Sequence, residues 1–209
     1  MNSSYIEKNI FLYYSTGMKR RTAHETIKAI TITASMGALI IVMGLTHIGF
    51  IPWFSGASIT IMQIPVILAA LIAGKYSGLG TGLIFGIFSL IQAAIAPIGP
   101  LDPFFVNPLV SVLPRVLMGI GTYFCFKFFS SLPNFPKPVN YAISGLFGSL
   151  INTCLVLLML VVIKAMDFKM FVAVLIANGL LEAAASAVIT TIVMTLITMP
   201  KKKSKFSDA

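Results

Sequence analysis

Residues 139–163 read VNYAISGLFGSLINTCLVLLMLVVI, twenty-five residues between Lys137 and Lys164 without a single Asp, Glu, Lys or Arg. As a helix this stretch rises about 37 Å, more than the ~30 Å hydrocarbon core of a bilayer. Its few polar side chains are grouped, because Ser149, Asn152 and Thr153 fall on one helix face. Two further charge-free stretches lie between Lys28 and Lys75 and between Lys75 and Asp102. Over 209 residues the chain is 57% hydrophobic and 10% charged, against roughly 25% charged in a typical globular protein. A water-exposed surface cannot be built from such stretches, whereas a lipid-exposed one can. The expectation is an all-α integral membrane protein.

Six apolar segments are predicted to be spans: 27–46, 58–73, 78–95, 106–129, 139–163 and 170–199. The second is short and carries Pro65, which predicts a kink or shelter by neighbouring helices. The sixth is long enough to tilt or protrude. Of the fifteen basic residues, twelve lie before span 1, between spans 2 and 3, between spans 4 and 5, or after span 6. Only Lys164 and Lys169 fall on the other side, and Arg115 lies inside span 4. Positive-inside bias therefore predicts both termini in the cytoplasm, and hence an even number of spans. The domain reading is a cytoplasmic tail over 1–21, a six-helix membrane domain over 22–200 and a basic cytoplasmic tail over 201–209.

The net charge of +9 follows from those loops and tails, so nucleic acid is not an expected partner; the bilayer is. Cys125 and Cys154 sit in apolar runs and read as small core residues. No cleavable leader is expected, since the first apolar run is too long for one. Residues 1–17 fit either a surface helix or a start upstream of the Met18-Lys19-Arg20-Arg21 run.

Two outer connections, 47–57 (HIGFIPWFSGA) and 96–105 (APIGPLDPFF), are rich in aromatic residues, Gly and Pro. They suit a lid over a site or, around Trp53, an interfacial belt. Gly78, Gly82 and Gly86 put small residues on one face of span 3, which predicts close packing inside the bundle. Ala34 and Ala38 form an AxxxA on span 1, suited to internal packing or to a partner protein.

Polar side chains in a bilayer are costly and need a partner or a purpose. Asn107, Ser111 and Arg115 share a stripe on span 4, and Asn178, Glu182 and Ser186 share one on span 6. Asn152 and Thr153 lie on span 5, with Gln63 and Gln92 near the outer ends of spans 2 and 3. At 1.5 Å per residue these groups gather in the outer half of the bundle. They read as a polar cavity open to the outside, or as interhelical hydrogen bonds with Arg115 paired to Glu182. Asn107, Ser111, Arg115, Asn152, Thr153, Asn178, Glu182, Gln63, Gln92 and Trp53 are the candidate ligand-binding residues. No catalytic residue, metal site or cofactor is expected: there is no phosphate-binding G-x-x-x-x-G-K-[ST] loop and no HExxH. One intramembrane carboxylate is thin for a proton relay, and no inverted repeat is visible.

Several runs carry a family resemblance: the AxxxA, Ile64-Pro65-Val66-Ile67, and Asn107-Pro108-Leu109-Val110-Ser111-Val112-Leu113-Pro114-Arg115. Asn152-Thr153 and Asn178-Gly179-Leu180-Leu181-Glu182 complete the set. Together they resemble the substrate-binding S components of energy-coupling-factor vitamin transporters, over nearly everything after Thr22. The resemblance implies a six-helix protein that captures a vitamin from outside. It implies a transmembrane coupling subunit and two cytoplasmic ATPases as partners, with Ala34 and Ala38 docking on the coupling subunit. The wording of spans 4–6 is most similar to the pantothenate type. Another vitamin such as riboflavin, a stand-alone secondary transporter, and an intramembrane enzyme using Arg115 and Glu182 are the rival readings.

Overall fold

The structure is a computed structural model that describes residues 23–51, 59–97 and 101–199. Trp53 and both predicted tails lie outside the described residues, as does most of the first outer connection. The helices are α1 (Ala23–Leu45), α2 (Ile64–Ala73), α3 (Lys75–Ile95), α4 (Pro108–Ser130), α5 (Lys137–Val162) and α6 (Phe168–Thr198). Five of them, 21 to 31 residues long, are long and apolar enough to cross a membrane.

The exception is α2, with 10 residues, about 15 Å of rise or half a bilayer. Span 2 was expected from residue 58, but the helix starts at Ile64 and residues 59–60 form a strand instead. That strand, β2 (Ile59–Thr60), pairs antiparallel with β1 (Phe50–Ile51), with Phe50 opposite Thr60. Pro65 lies in the first turn of α2, where its missing N–H costs nothing, so it starts the helix rather than kinking it. Residues 64–71 of α2 are all buried, and α2 touches each of the other five helices. Non-helical backbone at membrane depth is tolerated when protein encloses it. Here the Gly49 N–H donates to the Met43 carbonyl and Ile61 N–H to that of Gly49. A single residue, Gly74 (φ 87, ψ −173), reverses the chain from α2 into α3, in a region open only to glycine.

The glycine stripe of α3 packs against α4. A Cβ at Gly82 would land on the Arg115 carbonyl oxygen, and one at Gly86 would lie 2.6 Å from Val112 Cα. Gly119 of α4 answers by closing on the Gly78 carbonyl. α1 lies against α3 through buried Gly37 and a 2.9 Å hydrogen bond between the Thr33 and Ser77 hydroxyls. α6 is not one regular helix, since residues Leu175–Gly179 form a π-helical turn.

Gly82→Leu should therefore lower stability by at least the ~1–3 kcal/mol of an overpacked core. Leu83→Ala, at an exposed position on the same helix, should shift it little. Thermal unfolding of the purified protein in nanodiscs measures both.

Candidate ligand-binding site

Two buried polar centres sit where α2, α5 and α6 meet. The first surrounds Gln63, the residue before α2, which sequence reasoning placed near an outer end and which has no exposed surface. Its Nε2 donates to Ser149 Oγ of α5 at 2.6 Å and to Ser186 Oγ of α6 at 3.2 Å. Its Oε1 accepts from Asn152 Nδ2 at 3.0 Å. The Oδ1 of Asn152 is buried and accepts no hydrogen bond from any described residue.

Glu182 of α6 anchors the second centre. Its Oε1 accepts the backbone N–H of Thr60 in β2, and its Oε2 accepts the Thr153 hydroxyl of α5, both at 2.8 Å. The carboxylate thus ties β2, the return strand of the hairpin, to two helices. The two centres are neighbours along the chain: Asn152 precedes Thr153, and Glu182 lies one turn from Ser186. Asn178, also buried, sits one turn before Glu182 within the π-helical turn, a feature that is frequent at functional sites.

Arg115 is buried in α4. No ion pair within 4.0 Å joins it to Glu182, which counts against the paired alternative that the sequence left open. Arg115 instead lies between two aromatic rings, 5.3 Å from the centre of Phe85 and 5.2 Å from that of Phe105. Such cation–π contacts stabilise a desolvated guanidinium by about 0.5–2 kcal/mol each. Its Nη1 donates to the Val110 carbonyl at 2.6 Å. That carbonyl would normally receive the N–H of residue 114, but residue 114 is proline. Nε has no hydrogen-bond partner. The need for a donor beside Pro114 was legible in the sequence; the two rings, from separate elements, were not.

The remaining candidates are placed differently. Asn107 is not part of the helical stripe; it is the N-cap of α4, where its side chain accepts from the Leu109 N–H at 3.0 Å. Ser111 donates its hydroxyl to the Phe105 carbonyl, holding the 3-10 turn Asp102–Val106 that carries the ring over Arg115. Gln92 is half-buried on α3, and its side chain joins neither centre. Ala34 and Ala38 are exposed, while Ala29, Gly37, Ile40 and Gly44 form the packed face of α1.

A family described as ECF transporter, substrate-specific component, matches residues 28–194. The chain belongs to this family. It is therefore a multi-pass cell-membrane transport subunit and not an enzyme. It is 32% identical over 147 residues to a pantothenate transporter of Leuconostoc mesenteroides, covering 67% of this chain and 71% of that protein. It is 23% identical over 163 residues to a pantothenic acid transporter of Lactococcus lactis, covering 69% and 80% respectively.

If Glu182 fastens the hairpin of this S component, Glu182→Ala leaves the Thr60 N–H without its charged acceptor, a loss of about 1.5–3 kcal/mol. Hydrogen–deuterium exchange of peptides spanning residues 59–63 should accelerate by one to two orders of magnitude. Thr153→Val, which removes one donor and spares the Thr60 bond, should change that exchange much less.

Proposed function

We propose that this S component captures pantothenate at the outer face, in the polar region lined by α4, α5 and α6, and delivers it to an ATP-driven module. The observation that carries this reading is Arg115: a buried cation, not ion-paired to Glu182, with its guanidinium carbon 5.3 and 5.2 Å from the ring centres of Phe85 and Phe105. A buried carboxylate needs such a partner, because its desolvation costs several kcal/mol. The planar fork of Arg115 is suited to hold one bidentately. Asn152 and Asn178 would serve the hydroxyl and amide groups of the vitamin. The names of the two relatives support the same ligand.

The proposed topology has six crossings, with α2 and the hairpin before it making the second together, and both termini in the cytoplasm. The basic residues beside the α2–α3 turn and the α4–α5 loop, Lys75, Lys127 and Lys137, support that orientation. The membrane domain spans 22–200 between two cytoplasmic tails. The partners are a transmembrane coupling subunit and two ATPases, as membership of the family suggests. Ala34 and Ala38, on the outward face of α1, are the proposed docking contact.

Two measurements separate this reading from its rivals. Arg115→Gln should weaken pantothenate by roughly 2–5 kcal/mol and its uncharged alcohol analogue much less, as read by calorimetry. Equal loss for both ligands would make Arg115 a support for the Val110 carbonyl and favour a neutral vitamin such as riboflavin. Ala34→Trp with Ala38→Trp should abolish co-purification with the coupling subunit and leave vitamin binding intact, since bulk blocks close helix approach. Intact assembly would count against that face.

A further inference from the structure

The geometry points to Gln63 as a positioning residue that never touches the vitamin and acts by fixing the side-chain amide of Asn152. This inference rests on the proposed binding role of Asn152. Gln63 caps α2 with its main chain: its carbonyl accepts the N–H groups of Val66 and Ile67, both at 3.1 Å. Its side chain makes no cap bond and turns into the bundle instead. There both Nε2 hydrogens go to serines and Oε1 goes to Asn152, with no surface left to a ligand. A fully spent, fully buried amide is a poor ligand contact and a good template.

What it templates is polarity. An Asn amide can present either its oxygen or its NH2 to a given side. With Nδ2 drawn to Gln63 Oε1, Asn152 keeps Oδ1 buried and without a partner among the described residues, in a side chain only 3% exposed. An unpaired buried acceptor is costly until a donor arrives, so the site selects a hydroxyl or N–H at this point and disfavours another acceptor. Gln63 also carries a second constraint. It lies three residues after the end of β2, so the segment that orients Asn152 is the same one that Glu182 fastens through Thr60. Setting the amide and seating the outer hairpin are thereby one event.

A double-mutant cycle on the full-length protein, with pantothenate as the probe, tests the assignment. Gln63→Met keeps length and removes every side-chain hydrogen bond while leaving the main-chain cap of α2. It should weaken binding roughly ten-fold, the worth of one oriented hydrogen bond. In an Asn152→Ala background the same change should cost almost nothing, because there is no amide left to orient. Additive losses would overturn the proposal and make Gln63 a general support of the bundle. A ligand-free readout is independent of which vitamin binds. In 15N spectra, the Asn152 side-chain NH2 pair, assigned by its loss in Asn152→Ala, should exchange with water at least ten-fold faster in Gln63→Met than in wild type. Unchanged exchange would also overturn it. Failure of wild type to bind pantothenate would instead sink the pantothenate reading, while the spectra still decide the role of Gln63.

Discussion

A bilayer interior supplies no hydrogen bonds, so every polar group that enters it must find its partner inside the chain. Most of this molecule follows from that single restriction. Five long helices satisfy their own backbones. Where the backbone departs from helix, side chains have been recruited to complete it: Glu182 accepts the free N–H of Thr60 in β2, Arg115 donates to the Val110 carbonyl that Pro114 leaves bare, and Asn107 caps α4. The same restriction explains why the polar residues are few and why Gln63, Ser149, Asn152 and Ser186 are joined to one another.

The second organising feature is the short helix α2. It is too short to cross on its own, so it survives only because the other five helices enclose it. Its N-terminal end therefore falls inside the bundle, and Gln63 arrives there with its side chain facing α5 and α6. Had α2 been a full span, that end would have reached the outer headgroups and the polar centre would have lost its hub. The close α3–α4 seam of Gly78, Gly82, Gly86 and Gly119 serves the same end from the other side, by bringing Phe85 of α3 within reach of the Arg115 guanidinium.

This construction divides the molecule into two kinds of surface. Inside, hydrogen bonds from Gln63, just before α2, cross to α5 and α6 and fix a buried polar region. Outside, α1 turns a face of small and aliphatic side chains, including Ala34 and Ala38, away from the bundle. The two do not share residues.

The membrane class, the helical content and the small-residue packing of α3 were determined by the sequence alone. Charge-free stretches and four-residue spacing depend only on local composition and helix geometry. The buried polar stripes on spans 4, 5 and 6 were legible for the same reason. Four things were not. Residues 59–63 read as helix because they are apolar, yet they form strand and turn, since enclosure by neighbours removes the need for a helix there. Asn107 read as part of a stripe, although the helix begins one residue later. Whether Arg115 pairs with Glu182 or faces a ligand was left open, because a linear reading does not give the distance between side chains on two helices. In three dimensions the arginine met two aromatic rings and a proline-freed carbonyl, and the glutamate met a backbone N–H from a strand 122 residues away. Gln63 became central only through contacts with Ser149, Asn152 and Ser186, because which side chains complete a buried amide is decided by how helices distant in sequence are brought together.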